Sequence, residues 1–228
     1  MSRIHLIVTS GGTREPIDDV RYIGNVSTGR LGARIAAFAA ARGHRVTLIH
    51  AGGSALPGGW DAEANRQWPR VKGFVTAADL RVVLKEEIAR ALEPCAVVMA
   101  AAVADYRPER LPGKIPSRAE KLVVPLRKVP KIVDRIKAWK PDALLVKFKL
   151  ESGRSREELL AIGRESAARS AADLMLVNDV VAMSGGQHPA ILFRPGSEDV
   201  RDLQGKEAIA GAIVSALEEL VMEKAGER

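Results

Sequence analysis

The chain has 228 residues, 46% hydrophobic and 28% charged, which suits one large soluble domain with room for a substantial core. No apolar run approaches the roughly 18–20 residues of a membrane span, and the N-terminus lacks a signal peptide's long apolar stretch, so a cytoplasmic protein without a membrane partner is expected. The net charge of +7 is concentrated between Asp105 and Lys140, where eleven Lys/Arg stand against four Asp/Glu. Only Tyr106 and Trp139 are aromatic in that stretch, so a nucleic-acid patch is a weaker reading than a solvated face or a site for a polyanionic small molecule.

In chain order, Ile4–Thr9 reads as a buried strand stopped by Ser10-Gly11-Gly12, and Gly29–Arg42 as an alanine-rich helix stopped by Gly43. Arg45–His50 is a strand, Gly52–Gly59 turn-rich, Val71–Val75 a strand and Ala78–Leu92 an amphipathic helix. Ala96–Val103, headed by the single Cys95, is a continuous apolar run expected to be a central strand. Cys95 reads as a small buried hydrophobe, and the four scattered histidines give no ligand spacing for a protein-built metal site.

From Arg107 to Lys121 three prolines and a glycine break the pattern, giving a long loop of the kind that is functional or disordered. Strand Leu122–Leu126, helix Lys131–Trp139, strand Ala143–Leu150, helix Arg156–Ser170, strands Asp173–Val177 and Ala190–Arg194, and helix Lys206–Lys224 follow, with a loose tail. Alternating short strands and helices predict a doubly wound, mostly parallel, Rossmann-like α/β sheet forming a single domain over residues 1–228, with a basic loop over 107–121.

Two places carry chemistry. The first strand runs into Ser10-Gly11-Gly12-Thr13 and on to Asn25-Val26-Ser27-Thr28-Gly29-Arg30-Leu31-Gly32, which opens a helix. Such a junction offers free backbone N–H groups and a positive dipole end to an anion, although Ser27 and Thr28 could simply cap the helix. It is not the dinucleotide fingerprint, since about 16 residues separate Gly12 from Gly29, nor a phosphate loop of the Gly-Lys-Ser/Thr kind. The second place is Ala100 to Arg107, where small residues and Asp105 end a central strand at the edge where α/β sheets bind ligands.

The blocks Val8–Asp18, Val20–Ile23, Asn25-x-Ser27-Thr28-Gly29-x-Leu31-Gly32, Ala101–Tyr106, Gly113-Lys114-Ile115, Lys128-x-Pro130-Lys131-Ile132, Phe148–Glu151 and Ala172–Asp179, in that order, closely resemble the phosphopantothenoylcysteine synthetase family. The resemblance implies a freestanding ligase of coenzyme A biosynthesis. It would join 4′-phosphopantothenate to L-cysteine through an acyl-nucleotide, with Mg2+ and CTP (or ATP) as co-substrate, as a homodimer. It implies that the basic loop over 107–121 is a lid loop and, residue by residue, that Asn25 and Lys114 are catalytic residues. Arg21, Asn25, Ala101, Ala102 and Asp105 would then meet phosphopantothenate, and Gly11, Ser27, Gly29, Gly32, Asp105, Lys114, Phe148 and Asn178 the nucleotide.

Three features depart from the family pattern. Many members carry two lysines four residues apart in the helix before the Ala-Asp-Leu strand, where this chain has Glu165 and Arg169 or, in another register, Ser166 and Ser170. Lys147 precedes Phe148 where a small residue is expected, and Gly24 precedes Asn25. An NAD(P)-dependent oxidoreductase and a non-catalytic nucleotide-binding protein of the same fold stay open as alternatives.

Overall fold

Runs of Val, Ile and Leu that are apolar on both sides of the pleat require a sheet covered on both faces. The computed structural model describes residues 3–58, 69–91, 94–117 and 120–226. Its elements in chain order are β1 (His5–Ser10), β2 (Arg14–Pro16), β3 (Tyr22–Gly24), α1 (Arg30–Ala41), β4 (Arg45–Ala51), β5 (Arg70–Phe74), α2 (Ala77–Ala89), β6 (Cys95–Met99), β7 (Tyr106–Pro108) and β8 (Leu126–Lys128). After a 3-10 turn (Val133–Arg135) come α3 (Ile136–Trp139), β9 (Leu144–Glu151), α4 (Arg156–Ser170), β10 (Leu174–Asp179), β11 (Pro189–Phe193), β12 (Val200–Gln204) and α5 (Lys206–Gly226).

Eight strands form one sheet in the order β12-β11-β10-β9-β6-β1-β4-β5. It is parallel from β10 to β5, with β11 antiparallel to β10 and β12 antiparallel to β11. Helices α1 and α5 cover one face around Ile35, Ile213 and Leu217, and α2, α3 and α4 the other around Leu80, Ile136 and Ala167. The doubly wound, mostly parallel α/β expectation therefore holds.

Helix ends follow local chemistry. Thr76 with Asp79, and Ser155 with Glu158, form reciprocal capping boxes at α2 and α4. Gly43, at φ +84°, takes the left-handed turn that ends α1. Cys95 is buried, and its thiol is pushed up to about 12 chiefly by that burial, which suits its reading as a small hydrophobe.

Several expectations are corrected. The strand expected over Ala96–Val103 stops at Met99, because Ala101 leaves the ladder to bond the Thr9 side chain of β1, and Ala102 and Ala104 bond the Gly11–Thr13 loop after it. The strand expected at Leu122–Leu126 lies instead at Leu126–Lys128. Leu122 and Val123 are exposed and have no face to bury against, while β8 pairs with β7 in a separate ribbon. Most of the helix expected over Lys131–Trp139 is a 3-10 turn followed by a four-residue helix. The hairpin β2–β3 and the edge strand β12 were not foreseen. Leu92, Gly59, Arg118, Ala119 and the last two residues of the expected tail lie outside the described residues.

The end of α1 is tied to α5 by one buried carboxylate. Glu218 accepts from Arg42 Nε at 3.0 Å and pairs with His44 Nε2 at 2.8 Å. Burial alone would raise the Glu218 carboxyl, but the bonds to Arg42 and His44 outweigh it and hold the group below its usual value. A carboxyl lowered in the folded state stabilises above its unfolded titration range, and that stability is lost as pH falls through the lowered value. Glu218→Ala is expected to cost about 3 kcal/mol in urea unfolding at neutral pH, a loss that shrinks on acidification toward pH 3.

Candidate active site

Three segments meet at the C-terminal edge of the central strands. Gly11, at φ +85°, turns the chain out of β1, and a Cβ there would lie 2.7 Å from Ala51 Cβ. Gly12 is held between two neighbours. It forms a parallel bridge with Ala102, and a Cβ on it would fall 2.4 Å from the carbonyl oxygen of Asn25. Ala102 N–H donates to Gly11 O (2.8 Å) and Thr13 N–H to Ala102 O (3.1 Å). Two buried threonines complete the seam: Thr9 Oγ1 accepts from Ala101 N–H (3.2 Å) and Thr13 Oγ1 from Ala104 N–H (2.9 Å). The glycine turn, the Asn25 segment and Ala101–Ala104 are thus one contiguous surface.

The Asn25 segment is placed by β2–β3. Gly24, unusual in the sequence, is required here, because a Cβ would lie 2.6 Å from Thr13 O across the hairpin. Glu15, buried in β2, accepts from Ala77 N–H at 2.8 Å and docks the hairpin on the start of α2. Asn25 and Val26 are then exposed, and Ser27 lies 3.6 Å (Cβ) from the position a Gly12 Cβ would take.

The N-terminus of α1 is only lightly covered. Its left-handed N-cap, Gly29, supplies no side-chain cap, Ser27 bonds nothing there, and Thr28 Oγ1 accepts a long 3.5 Å bond from Arg30 N–H, leaving the Leu31 and Gly32 N–H groups open. Ser10 Oγ instead donates to Gly29 O at 2.8 Å, and Gly32 leaves space for that serine, since a Cβ would lie 2.6 Å from Ser10 Oγ. The free N–H groups of that turn and its dipole suit an anion.

The loop carrying Lys114 is strapped to the turn that carries Arg21. The buried Asp18 carboxylate accepts from Val20 and Arg21 N–H on Oδ1, and from Arg21 Nη1 (3.0 Å) and Ile115 N–H (3.1 Å) on Oδ2. Asp19 accepts from Gly113 N–H and Arg110, and its own N–H donates to Gly113 O. Burial would raise the Asp18 carboxyl, but the N–H bonds from Val20, Ile115 and Arg21 and the Arg21 charge outweigh it and keep the group low. Arg21, expected at the substrate, spends its guanidinium on Asp18 and Ile115 O. Lys114 itself is exposed beside Gly113.

Asp105, at the other end of the seam, pairs with Lys131. The basic stretch divides. Arg110 and Lys131 serve the site's edge, whereas Lys137 holds Asp173 (2.6 Å) and Ala143 O (2.8 Å) at the far end of the strands. Phe148 and Asn178 sit at the same sheet edge. Phe148 packs on the α1 face and Asn178 is buried on the neighbouring strand, where Asn178 pairs with Leu150. They lie two and three strands from β1, about 10 and 14 Å across the sheet, so they do not touch the glycine turns.

Thr9, Thr13, Asp18 and Asp179 stand in the resembling blocks, but sequence reasoning gave them no role. Asp179 accepts from Arg154 N–H (2.6 Å) and Val181 N–H (2.7 Å), fixing the loops beside Asn178. Those bonds, with Arg154 first, hold its carboxyl low. Only spatial proximity, not spacing, reveals these four. A cavity of about 460 Å³ between α4 and Pro195–Glu198 lies at the opposite end of the strands and holds none of the expected residues. Among the described residues no group of three His, Cys, Asp or Glu could hold a metal.

An open α/β sheet with a glycine turn, an uncapped helix start and a small-residue strand end at one edge defines the class of fold whose carboxyl strand ends suit anionic ligands. Residues 1–221 match the DNA/pantothenate metabolism flavoprotein C-terminal domain. The chain belongs to this family.

Among its relatives, the coenzyme A biosynthesis bifunctional protein CoaBC of Thermococcus kodakarensis is 35% identical over 194 residues, 82% of this chain and 44% of that protein. The protein of the same name from Escherichia coli is 31% identical over 229 residues, 95% of this chain and 52% of that protein. The chain thus spans about half the length of the curated relatives it matches. The crystal structure of the DNA/pantothenate metabolism flavoprotein from Streptococcus pneumoniae superposes with a TM-score of 0.82 at 28% identity, covering 96% of this chain and 100% of that one. A Cab2 mutant solved in complex with phosphopantothenate-cysteine shares the fold, with a TM-score of 0.80 at 23% identity, 98% of this chain and 89% of that one.

Proposed function

We propose that the chain is a phosphopantothenate–cysteine ligase of coenzyme A biosynthesis, acting in the cytoplasm as a single domain and a homodimer. The observation that carries this reading is the seam at which Gly12, Asn25 and Ala102 touch beside the uncapped start of α1. The relatives' part in coenzyme A biosynthesis supports it.

A carboxylate does not react with an amine at neutral pH. The 4′-phosphopantothenate carboxylate first attacks the α-phosphate of CTP or ATP, forming the acyl–phosphate bond and expelling pyrophosphate. The cysteine amine then attacks the acyl carbon, loses a proton and releases the nucleoside monophosphate. Gly11, Ser27, Gly29 and Gly32 receive the phosphates on backbone N–H groups, and Phe148 and Asn178 flank the nucleotide. Ala101 and Ala102 let phosphopantothenate approach the backbone, with Asp105 as a polar anchor. The Asn25 amide offers donors to the acyl-nucleotide without a competing nucleophile. Lys114 closes over the anionic intermediate and keeps water away. The triphosphate would arrive with Mg2+, which would offset part of its charge. Arg21 acts through its clamp on the Lys114 loop. The exposed Val20, Tyr22 and Val26 on the Asn25 hairpin support a subunit contact there.

Incubation with 4′-phosphopantothenate labelled with oxygen-18 in its carboxylate, cysteine, Mg2+ and CTP or ATP tests the reading. The expected products are phosphopantothenoylcysteine and a nucleoside monophosphate carrying one label. No product with either nucleotide, or label in orthophosphate, would refute it. Lys114→Gln is expected to lower kcat about tenfold or more with an unchanged melting temperature, and wild-type rates would remove its role as a closing lysine.

A further inference from the structure

A mismatch in the sequence resolves into a contact. The resemblance leads one to expect a small residue before Phe148 and two lysines four apart on the helix before the Ala-Asp-Leu strand. This chain has the reverse, Lys147 on the strand and, in one register, Ser166 and Ser170 on the helix. In the structure it is the Ser166 and Ser170 pair that faces the strand. Ser166 and Ser170 are buried on the sheet face of α4, whereas Glu165 and Arg169 are exposed and paired with each other at 2.9 Å. Glu165 is thereby neutralised on the solvent side, away from the strand. Lys147 rises from β9 between the two serines, its Nζ donating to Ser166 O at 2.7 Å and to Ser170 Oγ at 3.1 Å.

An ammonium has three N–H donors. Two are spent on α4, and the third faces Asp134, whose Oδ1 is 3.6 Å away, an ion pair too long for a hydrogen bond. Lys147 is only 8% exposed, and its burial lowers its tendency to carry a proton, opposed by Asp134. An apolar side chain would fill that position at lower cost, so packing does not explain a lysine. The place is at the site's edge. Lys147 is level with Met99 on β6, just before Ala101–Ala102, and Asp134 is one turn from Lys131, which holds Asp105. A strip from Asp105 through Lys131 and the 3-10 turn to α4 therefore ends on an ammonium with one donor to spare.

We propose that Lys147 is a nucleotide-binding cation, giving its third N–H to an anionic oxygen of the nucleoside triphosphate from the strand side of the groove. It supplies with one ammonium the charge that the resemblance leads one to expect on the helix. This deepens the ligase reading above and rests on it.

The test compares wild-type protein, Lys147→Met, Lys147→Ala and the transplanted pair Lys147→Ala/Ser170→Lys in pyrophosphate release with Mg2+ and CTP or ATP, each also followed by thermal melting. Lys147→Met is expected to raise the KM for the nucleoside triphosphate about tenfold to a hundredfold, with the phosphopantothenate KM within about twofold of wild type. The transplanted pair is expected to recover most of the nucleotide affinity lost in Lys147→Ala alone. An unchanged nucleotide KM in Lys147→Met, with or without a lower melting temperature, would make Lys147 a structural tie and overturn the proposal. Should Lys147→Met not fold, the transplanted pair decides, because a folded pair that binds nucleotide no better than Lys147→Ala also overturns it. Wild-type protein that turns over no nucleotide would instead strike the ligase reading itself.

Discussion

Gly12→Ala is expected to reduce ligation about a hundredfold or more and to cost about 1–3 kcal/mol of stability. The added carbon would fall 2.4 Å from Asn25 O, and neither side can yield alone. Gly12 is bridged to Ala102 on one side, and Asn25 follows a strand that is itself closed on Thr13 O through Gly24. Relief therefore pushes the Asn25 segment off the seam. Steady-state kinetics with urea unfolding checks this, and a Gly12→Ala protein of wild-type kcat would mean that the Asn25 segment does not need its present seat. Gly43→Ala is the contrast. It meets nothing within 4 Å, so its cost is that of the left-handed turn and should leave activity intact.

Asp18→Asn is expected to cut the strap and keep the turn. The amide oxygen can still accept from Val20 and Arg21 N–H, but the new NH2 faces Ile115 N–H and the Arg21 guanidinium, donor against donor. The Lys114 loop then loses its tie to the Asn25 hairpin. Turnover should fall about tenfold or more while substrate KM values change less, and trypsin should cleave at Arg110 and Lys114 faster. Equal cleavage rates in wild type and variant would show that Asp18 does not hold the loop. The same strap gives a pH limb. Asp18 is held low by its N–H partners, so the loop is anchored above that lowered range and released as pH falls through it.

How much of this was legible in the residues differs by element. The buried strands announce themselves because both faces of each are apolar, as in Leu6–Val8 and Ala96–Val98. α4 reads to the residue because Ser155 and Glu158 spell its capping box. The hairpins β2–β3 and β7–β8 carry no such signal. They are three residues per strand, largely exposed, and held by bonds to distant segments such as Glu15 to Ala77 and Val129 to Asp105. The site divides the same way. Gly11, Asn25, Gly29, Ala101 and Asp105 are proposed from glycine spacing and resemblance, but Asp18 looks like any turn aspartate until Ile115 is seen beside it. Lys147 looked like an anomaly until the serines across from it were placed.

The structure of the protein with a nonhydrolysable nucleoside triphosphate and 4′-phosphopantothenate bound together tests the central claim most directly. The account places the substrate carboxylate within about 4 Å of the α-phosphorus, between the Gly11–Gly12 turn, the Asn25 amide and Ala101–Asp105. Phosphates lodged elsewhere, for instance in the cavity beside Pro195–Glu198, with the glycine turns left in solvent, would contradict it.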